Sequence, residues 1–416
     1  MTIQKQLLYL ALTLTLLFLT ACQASNNPPL PTLMAAAFPP TYTPSPSATH
    51  PPTWTPAPLD IDNRPAPQNR VAFSTPTLIA TIPTRTPFPP TPTPTHTPSP
   101  TSNVSPTPTS KPLALYAAHE PLPYDVYPRP ANDNGWGIHW IPTVSQERHI
   151  IDQYVREAAR MHIKWVVFLH EGAPNESNDY LVAQLNAHGI MPVMRLYRAG
   201  VLPYDGDIGR TVAHYRRRGV YYFQLYNEPN ANEENHQGFS NPNQYATAWA
   251  GAARQVVANG GYPGFGALSP NGAYNHYTFL DRSLRAIIRN GDQHLLNRAW
   301  LSVHNYHGTR AYDDPNGFLM IRRYDEIVRD NLDGRSLPMI GTEAGSYHPD
   351  PHVEKQFLTV QYNYMRDAEP YYLAFSWWLI ANRAGGGFDD RWEYQSLFRP
   401  GFTHPAVTDY FYVHSR

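Results

Sequence analysis

Three glutamates in this chain stand where a run of apolar residues stops. Glu228 follows the aromatic and aliphatic stretch of "YYFQLYNEPN", Glu343 ends "MIGTE", and Glu171 comes after "FLH" in "FLHEGAPN". A carboxylate beside a large apolar run must be solvated, paired or used, because burying a bare charge is costly. Two carboxyl groups flanking one bond are what glycosidic cleavage requires, one as acid and the other as nucleophile or base. Asn227 adds a neutral donor and acceptor beside Glu228, suited to a sugar hydroxyl. Pro229 disfavours the right-handed α region for Glu228, so that residue is expected to stay extended, end a strand and hold its carboxyl by backbone geometry.

The elements that would position these groups recur along the C-terminal part of the chain. Strand-like runs are "WGIHW" at 136, "IKWVVFL" at 163, "MPVMRLY" at 191, "VYYFQLY" at 220, "GFGALSP" at 264, "AWLSVHNY" at 299, "LPMIGTE" at 337 and "YYLAFSWW" at 371. Helical spacing falls between them, over 146–161, 179–188, 244–259, 278–290 and 353–366. Eight strands alternating with helices predict parallel βαβ units, and about 300 residues suit one (β/α)8 TIM barrel, an α/β fold. No G-x-G-x-x-G or G-x-x-x-x-G-K-[ST] follows any strand, which argues against an open doubly wound sheet.

In such a barrel the C-terminal strand ends form the active face. His139 closes the first run, His170 and Glu171 the second, Arg195 the third, Asn227 and Glu228 the fourth. His304, Asn305 and Tyr306 close the sixth, Glu343 the seventh, and Trp377 or Trp378 the eighth. Spacing alone does not choose between Glu343 and Glu171 as partner of Glu228. The glycines around Glu343 permit close approach of a ligand.

Asn227-Glu228-Pro229, His304-Asn305-Tyr306, Glu343 and "SWWLIAN", in this order, resemble the clan of retaining (β/α)8 glycoside hydrolases that includes the cellulase family, β-glucosidases, β-mannanases and β-xylosidases. The resemblance implies Glu228 as general acid/base and Glu343 as nucleophile. It implies that Asn227 bonds the 2-hydroxyl of the sugar, that Tyr306 orients Glu343 and keeps it ionised, and that His304 lies beside them. Trp377, in W-x-L-x-x-N, is expected to form the apolar floor under the sugar, with Trp378 as substitute. Arg195 and His139 match more loosely as substrate-binding residues. The pKa of Glu228 is expected to rise, mainly from the charge of Glu343 and partly from burial. No cofactor or metal is expected, since neither H-x-H nor H-E-x-x-H occurs, although His304 and His307 in "HNYHG" are spaced as ligands could be. The alternative of another class is a surface protein that binds glycans without cutting them.

The N-terminal part reads differently. "MTIQKQLLYLALTLTLLFLTAC" has one lysine, an apolar stretch and then small residues before Cys22, the order of an export signal. Leu19-Thr20-Ala21-Cys22 resembles the lipobox of bacterial lipoproteins, so residues 1–22 are expected to be a signal whose cysteine is lipidated. Of 44 prolines, 25 fall between Pro28 and Pro112. Residues 23–113 therefore read as a disordered Pro/Thr-rich linker and 114–416 as the barrel. With Cys22 the only cysteine there is no intramolecular disulfide. A formal charge of −1 argues against a nucleic-acid partner bound through a basic surface. The partners expected are an oligo- or polysaccharide and, through Cys22, the bacterial cell membrane, on the cell-surface or periplasmic side; the barrel itself is expected to be a monomer.

Overall fold

A computed structural model describes residues 120–204, 207–235, 240–384 and 390–414. Cys22 and the Pro/Thr-rich stretch lie outside them. Eight parallel strands close into a barrel in sequential order: β1 Trp136–His139, β2 Trp165–His170, β3 Met191–Leu196, β4 Tyr222–Leu225, β5 Tyr262–Phe265, β6 Trp300–His304, β7 Met339–Glu343 and β8 Tyr372–Trp377. Helices α1 Arg148–Arg160, α2 Glu176–Ala187, α3 Ile208–Arg216, α4 Pro242–Ala258, α5 His276–Arg289 with the short α6 Gln293–Leu296, α7 Met320–Asn331 and α8 Pro351–Tyr364 fall between consecutive strands. The fold is the expected (β/α)8 barrel. Among the described residues, no helix is long and apolar enough to cross a membrane.

Four helices, α2, α4, α5 and α8, start two or three residues earlier than apolar spacing indicates, whereas α1 starts at Arg148, two residues later. Asn175, Asn241, Asn275 and Asp350 each accept a backbone N–H of the first turn through the side chain, and Pro242 and Pro351 open α4 and α8. These first turns are polar, so the apolar periodicity begins only after them. Strand β5 begins at Tyr262, two residues before the apolar run at 264. Its Gly264 is required by packing, because a Cβ there would lie 2.5 Å from the Trp300 ring.

Apolar side chains divide into layers. Trp165, Val167, Val193, Tyr222, Tyr262 and Trp300 cluster inside the barrel with Leu122, Val126 and Tyr127 of the preceding segment. That segment is tied on by Tyr127 Oη donating to Ala299 O at 3.0 Å and Tyr222 Oη donating to Pro128 O at 2.7 Å. Tyr222, Tyr262, Trp165 and Trp300 begin their strands, so residues 122–128 cover the N-terminal end of the barrel. The opposite end is left to the residues that close the strands.

Candidate active site

Backbone geometry at the end of β4 is the first feature of the site. The strand stops at Leu225; Tyr226 takes φ +66° and Glu228 φ +38°. Glu228 is therefore not extended, contrary to the expectation from Pro229. Proline disfavours the right-handed α region for its predecessor and leaves other regions open. A positive φ on two non-glycine residues costs on the order of 1–3 kcal/mol each and persists where surrounding bonds over-determine it. Here Glu228 N donates to Ala267 O at 2.8 Å, Ala231 N donates to Glu228 O at 2.9 Å, and Asn227 bridges Ala267 beyond β5.

This turn brings Glu228 against β6. His304 Nδ1 is 2.7 Å from Glu228 Oε1, and His304 Nε2 is 3.5 Å from Glu343 Oε1, so one imidazole spans the gap between the two carboxyls. The register pairs His304 directly with Glu343, across a bulge between Val303 and His304. Glu343 has two further partners. Arg195 Nη2 approaches Oε1 to 2.5 Å, and Tyr306 Oη donates to Oε2 at 2.9 Å. Arg195 Nη2 also lies 3.4 Å from His304 Nε2. A guanidinium only donates, so Nε2 accepts and the imidazole hydrogen is on Nδ1, donated to Glu228. Oε1 of Glu228 is thus an acceptor, and a proton on that carboxyl belongs on Oε2.

All of these groups are buried, which sets their protonation. Burial pushes Glu228 well above the usual carboxylate range, and the charges of Glu343 and Glu234 add to it. Burial is the larger cause, where the charge of Glu343 was expected to be. Burial also raises Glu343, but there the Arg195 charge and the bonds from Tyr306 and Arg195 oppose it. Of the two, Glu228 holds the proton. His304 is lowered far below neutrality by burial, then by Arg195 and His139, and is uncharged. Tyr306 is raised by burial and by Glu343 and remains a hydrogen donor.

The other candidates are placed as follows. Asn227 Nδ2 donates to Glu234 Oε1 at 2.8 Å, while its Oδ1 is buried without a hydrogen-bond partner. His139 donates Nδ1–H to Trp140 O at 2.9 Å and packs its ring 4.2 Å from Trp378. Trp377 is not the floor of the site. It belongs to the main apolar cluster beneath the helices, with its indole N–H donated to Gln395 O at 3.1 Å. Successive strand residues face opposite ways, so Trp378 takes the other side, clustered with Tyr306, Leu379 and Trp392 against Tyr347. Glu171 is half-buried and raised by that burial. His307 turns away from His304, with Nδ1 3.1 Å from Gln361 Nε2 and its ring on Phe357. Among the described residues, no three His, Cys, Asp or Glu side chains group as a metal site.

Glu234 was missed in the sequence. It is buried in the β4–α4 loop and receives both Asn227 and Tyr197, whose Oη donates to its Oε2 at 3.0 Å. The loop "NANEENHQGFSNPNQ" has no periodicity that would single it out.

No protein-family model and no curated protein matches this sequence. Among solved structures, it is similar to a family 39 glycoside hydrolase from Bacteroides cellulosilyticus WH2, at 14% identity and TM-score 0.49, over 69% of this chain and 64% of that one. It is similar to a GH128 endo-β-1,3-glucanase from Sorangium cellulosum, at 17% identity and TM-score 0.45, over 68% and 98%. A GH39 β-xylosidase from Caulobacter crescentus matches at 17% identity and TM-score 0.48, over 69% and 72%. These structural neighbours are glycoside hydrolases, and the chain spans less than two thirds of the first.

Proposed function

We propose that the barrel is a glycoside hydrolase that cleaves β-linked glycans with retention of configuration, using Glu228 as acid/base and Glu343 as nucleophile. The observation that carries this reading is the asymmetry of two buried carboxyls sharing one imidazole. Glu343 has a guanidinium and a phenol to stabilise its charge; Glu228 has neither as a direct partner. In the first step Glu343 attacks the anomeric carbon as Glu228 passes its Oε2 proton to the leaving oxygen, and a glycosyl ester forms on Glu343. In the second step the Glu228 carboxylate takes a proton from water, whose oxygen attacks the same carbon and frees Glu343. Tyr306 and Arg195 hold Glu343 ionised, His304 orients Glu228, and Trp378 supplies the apolar wall.

The test uses 2,4-dinitrophenyl β-glucoside, β-xyloside and β-mannoside, with the anomer of the first-formed product read by proton NMR. The β-anomer supports the reading; the α-anomer, or no turnover of any of the three, overturns it. For Glu228→Ala, azide should restore turnover and give a β-glycosyl azide.

The chain is further proposed to be exported and lipid-anchored through Cys22, with the Pro/Thr-rich stretch as a tether. Support comes from the order of charge, apolar run, small residues and cysteine at 1–22. Cys22→Ser should release the protein from the membrane or block its processing; correct cleavage with retained membrane attachment would contradict the anchor.

A further inference from the structure

We propose that Glu234 is a positioning residue of this site: its carboxylate fixes the amide of Asn227 so that Asn227 Oδ1 accepts a hydroxyl of the bound sugar, and it adds a negative charge beside Glu228. The sugar in this statement rests on the hydrolase reading, whereas the coupling of the carboxyls does not.

The geometry is that of a buried carboxylate with a donor on each oxygen. Asn227 Nδ2 approaches Oε1 at 2.8 Å and Tyr197 Oη approaches Oε2 at 3.0 Å. Above about pH 7, where it is ionised, the carboxylate only accepts, and turning the amide over would set two acceptors against each other. The amide is therefore held one way round, and its Oδ1 is the polar atom left buried and unpartnered. Such an atom costs about 1–3 kcal/mol unless something donates to it, and a sugar hydroxyl at this mouth is the donor that would do so. The loop carrying Glu234 is braced: Asn235 N donates to Asn232 O at 3.0 Å, and the β3–α3 loop approaches so closely that a Cβ on Gly200 would lie 2.9 Å from Asn235 Oδ1.

The charge has an equally local effect. Glu234 faces Arg195 from β3 and Glu343 from β7, and it acts on Glu228 alongside Glu233 of its own segment; Tyr197, which bonds it, also lies near the charge of Glu171, and His304 on β6 is uncharged. Burial pushes Glu234 up to about 7, against the bonds from Asn227 and Tyr197. Its ionised form adds to the repulsion that keeps a proton on Glu228.

Carbon-13 NMR of glutamate side-chain carboxyls tests this without substrate, with resonances assigned from Glu228→Gln and Glu234→Gln. Glu234→Gln keeps an acceptor for Asn227 and removes the charge, so the Glu228 midpoint should move to lower pH. Tyr197→Phe removes one donor, so the Glu234 midpoint should move up. On whichever dinitrophenyl β-glycoside the wild type cleaves fastest, Glu234→Ala should raise KM about tenfold or more and Glu234→Gln less than about threefold. An unmoved Glu228 midpoint in Glu234→Gln overturns the proposal, as does equal KM in the two variants. If no glycoside is cleaved while the midpoints move as stated, the hydrolase reading fails and the placement of Glu234 stands.

Discussion

Arg195 Nη2 lies 2.5 Å from Glu343 Oε1, and the two side chains are only 5% and 1% exposed. A carboxylate that deep inside the barrel would otherwise take up a proton, because desolvation disfavours its charge. The guanidinium is thus what separates the two glutamates into a charged and a neutral one.

Replacing Arg195 by Met should raise the Glu343 pKa, since a stabilising charge is lost while burial remains. The acidic limb of the kcat/KM profile then moves to higher pH. Breaking a buried pair lowers folding stability by about 3–5 kcal/mol, and kcat/KM at a fixed pH below the shifted limb should fall about tenfold for each unit by which the Glu343 pKa rises. Arg195→Lys, which keeps the charge, should restore part of the limb. A profile of wild-type shape for Arg195→Met would contradict this role.

The two adjacent tryptophans should separate cleanly. Trp377→Ala removes a fully buried indole from the main apolar cluster and should lower stability by about 3–5 kcal/mol in denaturant titration, with KM of the folded fraction unchanged. Trp378→Tyr should unfold at nearly the wild-type midpoint and raise KM. The reverse pattern would return the floor of the site to Trp377.

Glu354 and His404 form a second buried pair, 3.3 Å apart, in which burial pushes the glutamate up to about 8 and the histidine down to about 4. Folded Glu354 binds its proton more tightly than the unfolded chain does, so it lowers stability as pH rises from about 4.5 to about 8. Glu354→Gln removes that loss. Its gain in Tm over wild type should be larger at pH 8 than at pH 5, by roughly 2–4 °C for each kcal/mol of penalty removed. A gain that is the same at both pH values would contradict the assignment.

The barrel was legible because strands buried on both faces are continuous apolar runs, and several of them end on or beside a polar residue that reaches the mouth, as at Arg195, His304 and Glu343. Three features were not. The positive φ of Glu228 depends on Ala267 holding its backbone, a contact between residues 39 positions apart in sequence. The choice between Trp377 and Trp378 turns on a single residue of strand register, which a run of two tryptophans does not reveal. Glu234 joins Asn227 and Tyr197 only through the packing of two aperiodic loops.

The most direct measurement is the mass of the Glu343 peptide after treatment with 2,4-dinitrophenyl 2-deoxy-2-fluoro-β-glycosides of the sugars the enzyme accepts. Fluorine slows both steps, whose transition states are oxocarbenium-like, while the dinitrophenolate leaving group keeps the first step fast, so the glycosyl ester should accumulate. The account predicts one fluorosugar on the peptide containing Glu343, none on those containing Glu228 or Glu171, and loss of labelling in Glu343→Ala. Label on Glu171, or full turnover by Glu343→Ala, would contradict it.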